Sequence, residues 1–280
     1  VLRAAAPALL FAGLPQFRLL IVAAVVSSVP GAVSALNYAQ RLIDLPLGLV
    51  GASAGAVLVP LLTSGGSARP GVETAKAALA ALAFALPAAT GLLVLAEPII
   101  QVLYQRGSFS AQDVEMTALL LAVLALALPT QGLEKVLCAA AMSHGLTREA
   151  ERAGLVSLAN AVALALGLGI GLGPVVGASA VAISSLYAVV RLTLVLWSAG
   201  HLALDGAILR AARGLLLASL VMGAVVGGLA WLWPAPPQGL GAALRLAVLV
   251  AAGMATYGGL WLLQRRWLRA RAAHDAGGRP

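Results

Sequence analysis

Residues 34–64, SALNYAQRLIDLPLGLVGASAGAVLVPLLTS, decide how the chain is read. Most of the stretch is apolar, and it is long enough to cross a bilayer as a helix, for which about 20 residues are needed. It nevertheless carries Asn37, Gln40, Arg41 and Asp44 in one short block, followed by Pro46. Arg41 and Asp44 are three residues apart and Asn37 and Arg41 four apart, so on a helix these three share one face. An arginine inside a membrane helix costs about 2.5–3.5 kcal/mol on insertion scales. Such a residue is expected to face a wet cavity or a partner, not lipid. Downstream, Gly48, Gly51, Ala52 and Gly55 line up as small residues, and the Gly51–Gly55 pair predicts a tight helix–helix seam.

The rest of the chain has the same character. Its 280 residues are 61% hydrophobic, with a mean hydropathy of +0.98, and only 10% are charged, against about 25% in soluble domains. The fold class expected is all-α, a polytopic membrane bundle of about eight transmembrane helices. Apolar stretches long enough to span run over 4–28, 34–62, 77–96, 115–140, 153–172, 175–198, 209–233 and 241–264. Breaker signals separate them: SSVPG at 27–31, TSGGSARPG at 63–71, GLGPVVG at 171–177 and WPAPPQGLG at 233–241. The runs are continuous rather than alternating, and Ala and Leu dominate them, which argues against strands. Residues 1–264 are read as one membrane domain and 265–280 as a basic cytoplasmic tail. Segment 97–114, EPIIQVLYQRGSFSAQDV, is read as a continuation of the third span or as an interfacial helix. The start at Val1, with a first apolar run too long for a signal-peptide core, is read as a chain whose N-terminal part is missing.

Lys and Arg set the orientation. Arg3, Arg69, Lys76, Arg148, Arg152, Arg210, Arg213, Arg265, Arg266, Arg269, Arg271 and Arg279 fall on one side of the eight spans. Arg106 and, at a helix edge, Arg245 fall on the other. Both termini are therefore expected in the cytoplasm. The net charge of +8 is a topology signal and calls for no nucleic acid; the tail is expected to meet membrane lipids.

Arg18, Arg41, Lys135 and Arg191 remain inside spans. Arg18 lies on the first span and Arg41 on the second, which runs the opposite way, so their guanidiniums are expected at a similar depth. Two arginines at one depth suit a phosphate or diphosphate, because guanidinium binds its oxygens in a fork. The competing readings are an Arg41–Asp44 structural pair and a salt-bridged or snorkelling Arg18. Glu134 and Lys135 are sequence neighbours and point about 100° apart on a helix; Lys135 is expected to snorkel, and Arg191 to face the bundle core. No enzyme is read here. His144, His201 and His274 lie in loops or the tail without metal-ligand spacing, no paired carboxylates occur within a span, and Cys138 is the lone cysteine. GLGIGLG at 167–173 follows no strand and closes a membrane helix, so it is a packing face and turn. No catalytic residue, metal site or cofactor is expected.

ALNYAQRLIDLPLGLVGASAGAVLVPLLTS resembles the MurJ/MviN family of bacterial lipid II flippases. Tyr38, Ala39, Gln40, Arg41, Leu42, Asp44, Pro46, Gly48, Gly51, Gly55, Pro60 and Leu62 meet its pattern in order and spacing. EPIIQVLYQRGSFSAQDVEMTALLL at 97–121 is similar to a second family segment. The resemblance covers essentially the whole chain and implies the last eight of fourteen spans, that is, the second lobe of a multidrug/oligosaccharidyl-lipid/polysaccharide exporter fold plus two C-terminal helices. It implies alternating access, a diphosphate-linked polyprenyl saccharide as substrate, and a place in the bacterial plasma membrane. Arg41 would bind the diphosphate, with Arg18, Asn37 and Asp44 completing the candidate site, and residues 209–264 would form a groove for the lipid tail. A coupling cation is left open. Departures from the pattern are Gln40 in place of Asp, Arg18 and Val22 where many members carry Asn and Asp, and Arg191 in place of a neutral residue. The alternatives are a flippase for another polyprenyl-diphosphate glycan, a drug exporter of the same superfamily, a polytopic membrane glycosyltransferase, and a transporter-like scaffold.

Overall fold

The computed structural model describes residues 13, 16–63, 71–234, 236 and 239–277, with side-chain surroundings left undescribed at 52–63, 168–172, 174–175 and 265–277. The apolar runs become helices. They are α1 (Gln16–Val26), α2 (Ala32–Thr63), α3 (Val72–Val94), α4 (Ala96–Tyr104), α5 (Ala111–Ser143), α6 (Thr147–Leu172), α7 (Pro174–Ser198), α8 (Gly206–Leu232) and α9 (Leu240–Gly277). No strand occurs among the described residues. Helices α3, α5, α7, α8 and the Leu240–Gln264 part of α9 are long and apolar enough to cross a membrane, so the chain is a multi-pass membrane protein. The segment following α3 is a separate helix: Leu95 breaks the register, and α4 buries Ala96 and Ile100. Helix α9 runs without a break past Gln264 to Gly277.

Local chemistry sets the breaks. Gly31, at φ 80°, turns the chain from α1 into α2, and Gly173, at φ 92°, lets α6 and α7 meet across a single residue. Ser110 caps α5 by accepting from the Asp113 backbone N–H while Asp113 accepts from the Ser110 N–H, a reciprocal capping box. Asp205 caps α8 by accepting from the Ala207 and Ile208 N–H groups.

Helix α5 is the axis of the bundle. Over Ala118–Leu128 it is an unbroken apolar run, and it packs against α2, α3, α4 and α7. Leu120, Leu121, Leu124 and Leu128 meet Leu36, Ile43 and Val50 of α2, the Ala77–Ala81–Ala85 row of α3, and Val181 of α7 in one core. The small α3 row lets the backbones approach closely, which drives helix association where lipid is as apolar as the side chains. A second core, from Leu137, Ala140 and Ala141 to Leu192 and Leu196, closes the other end. Pro129 removes one backbone donor inside α5. Beside it Thr130 donates to the Ala127 carbonyl and meets the Ser185 hydroxyl of α7 at 2.6 Å.

Helices α8 and α9 form a hairpin on the flank of α3. Met222, Val226, Leu249 and Leu95 make its small core. Gly223 is where α8 touches α3 most closely: an added Cβ would stand 2.5 Å from the Thr90 methyl. At the other end of the hairpin, Gly214 faces Gln264 of α9 with no room for a Cβ.

The expected Gly51–Gly55 seam is not used at its described end. Gly48 and Gly51 are exposed, with nothing within 4 Å of an added Cβ, and Gly55 falls where surroundings are not described. Gly48 and Gly51 lie on the same open side of α2 as its polar block, away from the α5 core, and the close approach is made by the α3 alanines instead. Arg191 is exposed rather than facing the core. It binds Glu149 at 3.1 Å, and Glu149 also holds Arg152 at 3.0 Å, in a surface network. Arg245 lies near the start of α9, where it is buried, and its guanidinium donates to the carbonyls of Trp233 and Ala230. It thereby satisfies acceptors that the end of α8 leaves open.

Candidate functional site

The polar residues inside the apolar bundle converge on a cavity of about 390 Å³ between α1, α2 and α5. Gln16 and Arg18 come from α1, Gln40 and Asp44 from α2, and Gln131, Glu134 and Lys135 from α5. Each helix contributes residues one turn or less apart, so three short polar patches meet at one level.

Arg18 is 3% exposed. Its two terminal nitrogens donate to the two carboxylate oxygens of Glu134 at 2.8 and 2.6 Å, a parallel fork, and one also donates to the Ser157 hydroxyl of α6 at 2.9 Å. Ser157 in turn donates to the Ser184 carbonyl of α7. The bidentate geometry expected for a phosphate is thus occupied by a carboxylate of the same chain, and the charge of Arg18 is neutralised where it stands. A buried pair of this kind is costly to break, because the survivor is left as an unpaired charge. The Arg18 Nε is buried and finds no partner.

Arg41 differs in every respect. It is exposed on α2, makes no ion pair among the described residues, and does not line the cavity. Asn37, also exposed, donates its amide to the Val33 carbonyl one turn back. Asp44 shares this open face but is not held by Arg41; it accepts from the Gln40 amide at 2.8 Å. An i, i+4 pair meets more directly than the i, i+3 spacing of Arg41 and Asp44 here, so the expected Arg41–Asp44 pair gives way to Gln40–Asp44. The motif tyrosine has a separate task. Tyr38 packs on Tyr104 at 4.7 Å and on Phe109 at 5.7 Å, tying α2 to α4 and the loop that follows it.

Lys135 is exposed on α5. It lines the cavity and makes neither a hydrogen bond nor an ion pair among the described residues. No group of three metal-ligating side chains forms among the described residues. The arrangement offers charge and hydrogen bonds to a polar group entering from the open side of α2.

At the opposite end of the bundle from α4, His144 and His201 stack with ring centres 4.1 Å apart and planes within 5°. Burial, and then the charge of His201, hold His144 below the usual histidine range.

Sequence reasoning reached Arg18, Asn37, Arg41 and Asp44 but missed Gln131, Ser157 and the engagement of Glu134. An ion pair across 116 residues leaves no spacing signal. The available clue was that Arg18 and Glu134 both sit in spans and carry opposite charge.

A profile of the family described as Lipid II flippase MurJ matches residues 1–251. A probable lipid II flippase of Rhizobium tropici is 34% identical over 267 residues, covering 90% of this chain and 49% of that protein. The corresponding protein of Bdellovibrio bacteriovorus is 42% identical over 164 residues, covering 57% of this chain and 31% of its own. A solved structure of a lipid II flippase in an inward closed conformation aligns with a TM-score of 0.77 at 23% identity, over 91% of this chain and 52% of that one. The chain thus spans about half the length of the Rhizobium tropici protein and of that solved structure. With the profile match running from the first residue to the middle of α9, the chain belongs to the MurJ family.

Proposed function

We propose that this chain is the second lobe, with two further helices, of a transporter that carries lipid II across the bacterial plasma membrane by alternating access. In this reading both ends of the chain face the cytoplasm, and the diphosphate of the lipid meets the open face of α2. The observation that carries the reading is Arg41: an exposed guanidinium on α2 with no ion pair among the described residues, with Asn37 beside it and a polar cavity one turn away. Such a cation is costly in lipid and is stabilised by a ligand that brings negative charge. Guanidinium suits a diphosphate because its planar fork matches two oxygens. The Arg18–Glu134 pair then holds the cavity wall in shape, and no covalent chemistry is involved.

Binding of lipid II to the protein expressed from its complete reading frame, in nanodiscs, tests this. A charge-assisted hydrogen bond contributes roughly 1.5–3 kcal/mol, so Arg41→Ala should weaken binding by about one to two orders of magnitude, and Arg41→Lys should restore only part of it. Normal binding by Arg41→Ala at normal abundance would overturn the assignment.

A further inference from the structure

We propose that the cavity between the end of α4 and the start of α9 holds a membrane phospholipid by its headgroup, with the phosphate on Arg106 and a headgroup N–H or O–H on Gln105. The site is separate from the polar cavity of α1, α2 and α5 and does not depend on the transport reading.

The cavity holds about 540 Å³. Gln101, Gln105 and Arg106 make its α4 side polar, while Gly239, Ala242 and Ala243 make its α9 side small and uncharged. Gln105 closes α4 one turn after Gln101, so both amides lie on one side of that helix. Arg106 follows directly and is the cavity's only charged residue among those described. It closes no ion pair among the described residues. Its described hydrogen bond is a 3.4 Å contact with the Val102 carbonyl, long for such a bond. The guanidinium therefore keeps most of its donors, in the planar array that fits a phosphate. Across the cavity, the first turn of α9 carries no acidic side chain to compete for it.

Gln105 narrows the ligand further. Its Oε1 is shut off from solvent and accepts no hydrogen bond among the described residues. A buried acceptor in that position is costly until a donor reaches it. A phosphate diester brings acceptors only. A headgroup that joins a phosphate to a donor serves both residues, as the ammonium of phosphatidylethanolamine or the hydroxyls of phosphatidylglycerol do. The trimethylated nitrogen of phosphatidylcholine has no hydrogen to give.

The place of the cavity points to a lipid and not to a free anion. Trp231 and Trp233, both exposed, stand at the end of α8, just before the start of α9 that forms one wall. Exposed tryptophans at the end of a span mark the headgroup level of a bilayer. Leu240, also exposed, gives the rim an apolar surface for acyl chains.

Native mass spectrometry of the protein from its complete reading frame, titrated with phosphatidylethanolamine, phosphatidylcholine or diacylglycerol, tests this. The wild type should bind phosphatidylethanolamine about fivefold more tightly than phosphatidylcholine, and diacylglycerol most weakly. Arg106→Gln should weaken phosphatidylethanolamine binding by about tenfold. Arg106→Lys should lose less, which separates the charge from the fold. Gln105→Leu should erase the preference over phosphatidylcholine and leave phosphatidylcholine binding as it was. Ala242→Trp, which fills the cavity without changing its charge, should weaken both phospholipids. Equal affinity of the wild type for the two phospholipids would overturn the proposal, as would unchanged binding in Arg106→Gln or Ala242→Trp. Displacement of the lipid by inorganic phosphate would show that the site takes a free anion, and the lipid assignment would fall.

Discussion

The α1–α7 body and the α8–α9 hairpin solve the same problem in opposite ways. The body is organised around α5, which is largely buried inside the protein, while α9 of the hairpin leaves most of its side chains exposed. The body encloses an ion pair, serines and a polar cavity. The hairpin turns Leu244, Val248, Met254, Leu262 and Leu263 outward and touches the body through Gly223 and the small cluster of Met222, Val226 and Leu249 around Leu95. In lipid, an apolar side chain gains little by leaving the membrane for the protein interior. What fixes a helix there is close backbone approach and satisfied polar groups. The body has both in quantity. The hairpin is tied to the body more sparsely, by the close approach at Gly223, the cluster around Leu95 and a hydrogen bond from the Tyr257 hydroxyl to the Ala83 carbonyl at 2.8 Å, so it should be the part that yields first.

The comparison breaks most sharply at Arg18. Arg18→Ala leaves the partly buried Glu134 without its cation and should destabilise the body by up to about 3–5 kcal/mol, read as loss of folded protein in a detergent melting assay. Replacing both partners, Arg18→Leu with Glu134→Leu, removes the unpaired charge and should recover most of that loss. A double variant as unstable as the single would mean that the pair stabilises the body far beyond its charge.

Gly223→Ala sharpens the other side. A methyl that must displace the Thr90 methyl from 2.5 Å should cost about 1–3 kcal/mol. The cost should fall on the seam alone. Amide exchange in α8 should accelerate while α5 keeps its protection; equal acceleration in both would show that hairpin and body unfold as one unit.

The smallest effect concerns the stacked histidines. His144 has its pKa lowered in the fold, so the unfolded chain binds a proton more readily. Stability should therefore be complete at pH values above the ordinary histidine range near 6.5 and decline as pH falls through that value toward the lowered one. Melting temperatures at pH 7.5 and 5.5 should differ slightly, and by less in His201→Phe, which keeps a ring on His144 but removes its charge. A flat profile in the wild type would show that the stack leaves His144 free to protonate.

Much of the helix pattern was legible because lipid simplifies the code. Long apolar runs and the glycines at 31 and 173 mark where helices end, and no alternating pattern competes. The faces were less legible. In a membrane both the lipid side and the core side of a helix are apolar, so the Gly51–Gly55 pair reads as a seam although its described end is open. Arg191 reads as buried because its span is apolar, yet it lies near the end of the bundle where Glu149 can reach it. For the site, the block Asn37–Arg41–Asp44 announced itself through its cost in lipid. The partner of Arg18 did not, since Glu134 lies four helices later and only the fold brings the two together. The choice of Gln40 over Arg41 as partner of Asp44 depends on rotamers that spacing alone does not fix.

Arg18, Glu134, Ser157 and the Ser184 carbonyl form a chain of contacts through α1, α5, α6 and α7. Helices packed only by small apolar residues can slip past one another by a turn, about 5.4 Å, because one row of alanines resembles the next. A fork bound at both prongs has no second register one turn away. The four helices are therefore denied the sliding freedom that the rest of the bundle retains. Any change of shape during a working cycle must carry them together as one solid piece and be absorbed at its margins, in the exposed face of α2 and along the line where α8 rests on α3.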